Sequence, residues 1–160
     1  MNLEAKLGYR KLLLLQGGYT FQRSRYTEDF AWSENPNIAP QRRMFRTPDN
    51  YGYFLATLTP VHDFSIAING KITGSMLVQH YAGYVPEDEE VLTDGFFELG
   101  IKLSKEFHLY KHYTLELNGG VKNVLNQFQR DLDRGMNRDA AFIYGPALPR
   151  TWFLGLNLKL

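Results

Sequence analysis

The chain contains four histidines, and two of them, His108 and His112, are four residues apart. On an α-helix this spacing would bring both imidazoles to one face, where they could share a metal ion. The residues around them are more typical of a short turn, and neither His62 nor His80 has a ligand set close by in the sequence. We therefore expect His108 and His112 to be surface residues, and the sequence predicts no metal site and no cofactor.

A second group of potential metal ligands surrounds Gly135. It consists of Asp131, Asp133 and Asp139. Oxygen ligands two residues apart and followed by glycine resemble part of a calcium loop, but the bidentate glutamate of the full pattern is missing. Three arginines interleave with these aspartates, at Arg130, Arg134 and Arg138. The pattern therefore favours a local network of ion pairs over a calcium site.

Two further groups of charged residues lie in long polar stretches. They are the acidic run at residues 87–90, which begins with Glu87 and Asp88, and the arginines Arg42, Arg43 and Arg46. Such groups usually form a solvated loop surface or pair with opposite charges. The alternative is that the acidic run binds a cationic ligand or partner and that the arginines bind an anionic one.

The sequence contains no catalytic constellation. There is no cysteine, and no recognisable motif brings a serine and a histidine together. The glycine pairs at residues 17–18 and 119–120 lie inside alternating segments, where glycine more often permits bending or close packing than phosphate binding. The formal net charge of +1 provides no general field that would attract nucleic acid. We therefore predict a non-enzyme that does not bind nucleic acid.

The elements that must position these residues are β-strands. Seven segments alternate apolar and polar residues with a period of two, and helical periodicity is not sustained anywhere. They cover residues 2–9, 13–22, 51–59, 64–76, 97–104, 113–122 and 151–160. The sequence therefore predicts an all-β protein, an antiparallel up-and-down meander of about seven long strands.

The connections between these segments alternate between short and long. The short ones are residues 10–11, 60–62 and 105–112, and the long ones are residues 25–50, 77–94 and 126–150. In a meander, all short turns then lie at one end of the sheet and all long loops at the other, which is typical of outer-membrane β-barrels. The last four segments keep charge off their apolar face, where a lipid-facing lysine would cost about 2–4 kcal/mol. A soluble barrel or sandwich, with that face turned into a core, produces the same alternation.

Several motifs of the chain occur together in one known family. Asn123-Val-Leu-Asn126 matches an Asn-hydrophobic-Phe-Asn element that commonly ends the penultimate strand, and residues 144–150 match a Gly-Pro…Pro-Arg loop before a final amphipathic strand. Residues 42–49, 74–80 and 131–139 fit the same family. Across essentially its whole length, the chain resembles the C-terminal part of the β-barrel of a TonB-dependent outer-membrane receptor.

The chain departs from this family in its ending and in its length. It ends in Leu160, whereas such barrels usually end in an aromatic residue that the barrel assembly machinery reads. The family implies a barrel of about 22 strands around a plug, of which seven strands are about a third. No plug, TonB-binding segment or signal peptide is recognisable, and an odd strand count does not close an ordinary bacterial barrel. We therefore expect a fragment of a receptor, with Met1 as an internal methionine or a truncated start.

The resemblance implies active import across the outer membrane of a scarce, bulky nutrient, driven through TonB. A ferric siderophore, cobalamin or haem is the expected cargo, and an oligosaccharide is the second choice. The implied partners are outer-membrane lipid, lipopolysaccharide and the barrel assembly machinery, with TonB engaged only through the missing plug. The rival hypotheses are a soluble β-barrel or sandwich that binds a ligand, and a small outer-membrane barrel that oligomerises to close.

The resemblance also implies roles by position. The residues expected to face the plug or the lumen are Lys71, Glu98, Lys102, Glu116, Asn118 and Lys122. The extracellular-loop candidates, for cargo or for lipopolysaccharide, are Arg42, Arg43, Arg46, Glu87, Asp88, Tyr144 and Arg150. The terminal assembly strand contains Trp152, Leu154, Leu156, Leu158 and Leu160 on one face. Because open strand edges and an exposed apolar face favour aggregation, we expect the isolated chain to need detergent.

Overall fold

The computed structural model describes residues 1–110 and 112–159, which form eleven strands and no α-helix. The strands are β1 (Asn2–Tyr9), β2 (Leu13–Phe21), β3 (Arg25–Phe30), β4 (Gln41–Arg43), β5 (Asn50–Val61), β6 (Phe64–Thr73), β7 (Leu77–His80), β8 (Glu89–Leu92), β9 (Phe96–Tyr110), β10 (Tyr113–Lys122) and β11 (Thr151–Lys159). Over the same residues, no helix is long and apolar enough to cross a membrane. Leu160, predicted to end the terminal strand, lies outside the described residues, as does Lys111.

Seven of the strands form one antiparallel sheet in the order β1-β2-β5-β6-β9-β10-β11. Each strand pairs with those that precede and follow it in this series, so the predicted all-β meander is confirmed. The three short turns lie at one end of the sheet and the three long connections at the other, again as predicted. The sheet is open, because β1 and β11 do not pair over the described part of the chain.

The predicted boundaries of two strands are wrong. Residues 105–110 were expected to form a link, but they continue β9, so His108 lies on a strand and not in a turn. The apolar pattern concealed this extension, because Lys105 occupies an apolar-side position beside Phe64. β6 is shorter than predicted. It ends at Thr73, whereas the alternation suggested that it continued to residue 76.

The turn between β5 and β6 is tighter than predicted. Pro60 and Val61 belong to β5, and Val61 pairs with Phe64, so only His62 and Asp63 form the turn. Asp63 has a φ of 62°, a left-handed conformation that aspartate tolerates because its short side chain can hydrogen-bond locally. A two-residue turn of this kind fixes the register of the hairpin that it closes.

The register assigns one face of the sheet to apolar residues. One row of paired residues crosses all seven strands: Leu7, Leu15, Ala56, Ile68, Ile101, Val121 and Trp152. Positions two residues away along each strand share this face, which we call the apolar face. Phe54 belongs to it, whereas Tyr53 and Leu55 lie on the opposite, polar face. Lys105, near the short-turn end, is the single charged residue of the apolar face among the described positions.

The apolar face is exposed on the edge strands and half-exposed over much of the central strands. Trp152 and Leu154 are 76% and 78% accessible, and Leu7 and Leu103 are also exposed. Buried hydrophobic side chains lie instead in or near the long connections, at Phe45, Met76, Leu77, Val78 and Phe142. The sheet therefore has no core of its own among the described residues, and the molecule has its core in the loops.

Candidate binding site in the loop cap

The three long connections lie together at one end of the sheet, and we call them the loop cap. The first loop is residues 22–49, the second is residues 74–95 and the third is residues 123–150. The first loop contains the hairpin β3–β4 and the second contains the hairpin β7–β8, neither of which the sequence predicted. These hairpins give the loop cap ordered elements on which side chains can be held.

A small apolar core joins the second and third loops. Val78 on β7 is fully buried, and it forms one cluster with Met76 and Phe142. Val91 and Tyr144 pack against this cluster. Burial of a side chain of this size contributes about 1.5–3 kcal/mol. The loop cap is therefore stabilised by packing of its own side chains, none of which belongs to the apolar face.

His80 joins the two loops beside this core. Its ring stacks on Phe142 with 3.7 Å between centroids, and its Nδ1 lies 3.1 Å from Oε1 of Glu89. Its Nε2 lies 2.9 Å from Oδ2 of Asp133, which also accepts a hydrogen bond from the backbone N–H of Asp139. Oδ1 of Asp133 is buried without a hydrogen-bond partner among the described residues. His80 is thus a buried contact between carboxylates of the second and third loops.

The predicted ion-pair network of aspartates and arginines in the third loop is wrong. Asp131 accepts a hydrogen bond from the hydroxyl of Tyr144, and Asp139 accepts one from the backbone N–H of Tyr81. In the described part of the chain, none of the three aspartates pairs with Arg130, Arg134 or Arg138. Asp133 and Asp139 join the third loop to the second, and Asp131 bonds within the third loop, which local sequence cannot reveal.

The acidic run at residues 87–90 is only partly the solvated surface that we expected: Glu87 and Glu89 are exposed, but three of the carboxylates accept hydrogen bonds from the first loop. The pairs are Asn35 with Glu87 at 3.1 Å, Ser33 with Asp88 at 2.5 Å, and Trp32 with Glu90 at 2.8 Å. The hydroxyl of Ser33, followed by the backbone N–H of Ala82, holds the pKa of Asp88 below its usual value. The acidic run therefore docks the first loop onto the second.

A basic cleft of about 640 Å³ lies against the first loop. Four arginines line it, at Arg23, Arg25, Arg42 and Arg43. Arg42 pairs with Asp29 at 3.4 Å and Arg43 with Asp49 at 2.9 Å, so the ion-paired interpretation of these two is confirmed. The other two arginines have no ion pair among the described residues. Their positive charge makes the cleft suitable for an anionic group, which arginine can bind through two parallel hydrogen bonds.

A second cleft, of about 480 Å³, lies under the third loop and combines aromatic and charged side chains. Phe96, Phe128 and Tyr144 line it together with Asp94 and Arg130. Burial, and then the hydrogen bond to a neighbouring carboxylate, raises the pKa of Tyr144, so its hydroxyl stays protonated and acts as a donor. Aromatic faces beside polar groups suit ring-shaped or planar ligands.

Arg46 and Arg150, two other loop candidates, make structural contacts. The guanidinium of Arg46 donates to the carbonyl oxygens of Ala141 and Ile143, and this joins the first loop to the third. Nε of Arg150 donates to the carbonyl oxygen of Val124 at the start of the third loop. Both side chains therefore donate hydrogen bonds to backbone carbonyl oxygens of the loop cap.

The motif residue Asn123 closes the third loop at its root. Its side-chain amide donates to the carbonyl oxygens of Gln127 and Leu148, at 2.6 and 2.9 Å, and its side-chain oxygen accepts from the N–H of Gln127. The side chain is buried, and both Asn123 and Asn126 have positive φ, which asparagine tolerates better than most residues. The Asn-x-x-Asn motif therefore has a clear structural role in this chain.

The six residues expected to face the lumen or the plug all lie on the polar face. Lys71 pairs with Glu98 and Lys102 with Glu116, each at 3.7 Å, across adjacent strands. The two remaining residues are Asn118, which is buried, and Lys122, which lies 5.7 Å from the centroid of the Phe153 ring. The polar face therefore contains charge pairs across adjacent strands, and surface pairs of this kind contribute little each.

The terminal strand β11 has Trp152, Leu154, Leu156 and Leu158 exposed on the apolar face, as the alternation predicted.

At the short-turn end, His62, Asp63 and His108 form a cluster that the sequence did not reveal. Only the pairing of β6 with β9 brings them together, and the sequence signal would have been the tight turn after Val61.

No protein-family model, curated protein or solved structure matches this chain.

Proposed function

We propose that this chain is a section of the wall of an outer-membrane β-barrel, in a receptor of the TonB-dependent type, and that its loop cap helps to capture an imported nutrient. On this proposal the apolar face contacts lipid and the polar face lines the interior. The short turns are periplasmic and the loop cap is extracellular. TonB acts on a plug that the polar face surrounds, and the chain supplies wall and loops.

The observation that supports this most strongly is the exposed apolar face. It crosses seven strands, and among the described positions its one charge, Lys105, lies near the short-turn end. Monomeric soluble proteins rarely expose apolar patches larger than about 300–600 Å². A lipid bilayer removes this cost, because it surrounds such a face with hydrocarbon.

The edges and the stagger of the sheet also fit a barrel. One edge of β1 and one edge of β11 carry no partner strand among the described residues, and open edges of this length promote association. The row of paired residues enters β1 at Leu7, near its short-turn end, and leaves β11 at Trp152, near its loop end. Strands that tilt relative to a barrel axis have a staggered register of this kind.

The clefts of the loop cap favour one class of cargo over another. The basic cleft suits the anionic groups of a bulky metal complex, so a ferric siderophore, cobalamin or haem is the cargo that we propose first. The aromatic cleft beside Tyr144 supports an oligosaccharide as the second candidate, because sugar rings stack on aromatic faces.

The rival function from another class is a soluble β-barrel or sandwich that binds a ligand. It requires a second layer of structure over the apolar face, since a soluble protein must bury such a face against a core. Every buried hydrophobic residue of the described chain lies in or near the loop cap instead. This distribution of buried residues makes the soluble alternative the weaker proposal.

The two tryptophans allow a direct test, because Trp32 lies in the loop cap and Trp152 on the apolar face. The chain would be reconstituted into vesicles whose acyl chains carry bromine, which quenches tryptophan fluorescence on contact. The Trp32→Phe variant reports only Trp152, and the Trp152→Phe variant reports only Trp32. We expect quenching of Trp152 and no quenching of Trp32, relative to vesicles without bromine.

Equal quenching of both tryptophans would contradict the proposed orientation of face and loop cap. A chain that stays monomeric in water without detergent, with neither tryptophan quenched, would overturn the membrane proposal and favour the soluble binding module.

Cargo is a separate question, tested by binding of an anionic iron chelate to the reconstituted chain and to its Arg25→Ala variant.

A further inference from the structure

A cluster of three potential metal ligands lies at the short-turn end of the sheet, opposite the loop cap. Asp63 Oδ1 lies 2.6 Å from Nδ1 of His62 and 3.3 Å from Nε2 of His108. The three ligand atoms all lie within 4.8 Å of one another. We call these residues the turn cluster.

The backbone fixes the turn cluster from two directions. His62 and Asp63 are the turn between β5 and β6, and the left-handed φ of Asp63 holds its side chain close to that of its neighbour. β9 pairs with β6 up to Lys105 beside Phe64 and then continues past the turn, which brings His108 alongside. The backbone N–H of Glu106 donates to the carbonyl oxygen of Asp63 at 2.8 Å and holds turn and strand together.

We propose that the turn cluster binds one divalent transition-metal ion of the zinc, nickel or copper class, through His62 Nδ1, Asp63 Oδ1 and His108 Nε2. Imidazole nitrogens with one carboxylate oxygen are a ligand set that these ions prefer. Zinc bonds of about 2.0–2.1 Å imply ligand atoms about 3.3 Å apart in a tetrahedral site. Asp63 and His108 are already 3.3 Å apart. His62 needs only to open its hydrogen bond, and its side chain is 91% exposed and free to turn.

A hydrogen bond beyond the ligands supports this assignment. Nδ1 of His108 lies 3.0 Å from the hydroxyl oxygen of Thr114 on β10. When Nδ1–H donates to this oxygen, the lone pair of Nε2 is left for the metal, and the ring is held in one orientation. Metal-binding histidines nearly always have such a partner on the second nitrogen. Thr114 is therefore the positioning residue of the proposed site.

The charges around the turn cluster are compatible with a cation. The cluster contains one carboxylate, Asp63, whose Oδ1 faces both histidine nitrogens. Lys105 donates from Nζ to the backbone carbonyl oxygen of His62 at 3.3 Å. Its charge is thus engaged at the backbone of the turn.

The test is calorimetric titration of zinc chloride into the full chain folded in detergent micelles, with circular dichroism to verify the β-sheet of each variant. The wild-type chain should bind one zinc ion per chain. We expect His62→Ala and His108→Ala to weaken binding by at least about 100-fold, and Thr114→Val by about 10- to 100-fold, the usual cost of losing an outer partner. Asp63→Asn should weaken it comparably, and asparagine also tolerates the left-handed turn.

His112→Ala is the matched control, because His112 is a neighbouring exposed histidine outside the turn cluster. Its affinity for zinc should equal that of the wild-type chain. The visible absorption of bound cobalt(II), which depends on coordination geometry, provides a second readout. The proposal is overturned if zinc does not bind at one per chain, or if His112→Ala weakens binding as much as His108→Ala does. A turn cluster held only by ordinary hydrogen bonds would give the first of these results.

Discussion

Many large apolar side chains are exposed in the sheet, whereas the buried ones of the described chain lie in the loop cap. In the sheet, a large leucine such as Leu154 is 78% exposed, whereas in the loop cap the smaller Val78 is fully buried. The sheet is held by backbone pairing along seven strands, and the loop cap by a small core with hydrogen-bonded carboxylates around it. One chain therefore contains an exposed apolar surface and a separate unit with its own packed core. The two regions should respond differently to the same kind of substitution.

The largest effect is expected from Phe142→Ala in the loop cap. The ring of Phe142 is buried, stacks on His80 and belongs to the cluster around Val78, so its removal should cost about 3–5 kcal/mol of local stability. Hydrogen exchange of the amides of β7 and β8 would measure this loss. Phe107→Ala, on the exposed apolar face, is the control and should leave those amides unchanged. Equal exchange in both variants would remove the distinction between the two regions.

A lysine on the apolar face should have the next largest effect, and only in lipid. Ile68 lies in the middle of the row that crosses the sheet, so Ile68→Lys should cost about 2–4 kcal/mol in a bilayer. Asn69→Lys, one residue along on the polar face, is the matched control and should cost far less. Urea unfolding of the reconstituted chain would measure both. A similar cost for the two lysines would mean that the faces do not differ in environment.

His80→Ala tests the contact between the second and third loops. The substitution leaves the buried carboxylate of Asp133 with only the backbone N–H of Asp139 as a donor, and an under-satisfied buried group costs about 1–3 kcal/mol. Asp133→Ala in the same background should recover part of this loss, because the lone carboxylate is then gone. Unfolding of the single and double variants gives the coupling energy directly. Additive losses would show that the two side chains are independent.

The smallest expected effect is a change with pH in the docking of the first loop. The folded-state pKa of Asp88 lies below its ordinary value of 3.8, since Ser33 and the N–H of Ala82 donate to the carboxylate. Its contribution is therefore present above pH 3.8 and is lost as the pH falls through the lower folded value. The fluorescence of Trp32 in the Trp152→Phe background would report the change. Ser33→Ala should move its midpoint upward, and an unchanged midpoint would contradict this assignment.

The sheet could be predicted from the sequence because its pattern is local. Alternation with a period of two identifies a strand without knowledge of its partners, and short and long connections identify the two ends. The prediction failed where a single residue broke the pattern. Lys105 interrupts the apolar side of β9, and the strand nevertheless continues because its backbone pairs with β10 on the other side.

The loop cap and the turn cluster could not be predicted in the same way. His80 and Asp133 are 53 residues apart, and their contact depends on how two irregular loops fold against each other. The contact of Asp63 with His108 depends on the register between β6 and β9, which alternation alone does not fix. Polar side chains can take partners in loops, turns or solvent, so the sequence of the acidic run gave no indication that the first loop bonds to it.

The closure of the third loop by Asn123 has a consequence for how such a chain can diversify. Its amide joins residues at both ends of the loop, Gln127 and Leu148, and Arg150 adds a further tie to Val124. The two ends thus stay close whatever lies between them, and lengthening a loop with closed ends costs only about 0.6 kcal/mol per doubling. Substitutions between residues 128 and 147 can therefore alter what the loop contacts while the registers of β10 and β11 stay fixed, provided that Phe142 and Asp133, which pack the loop against the second loop, are retained.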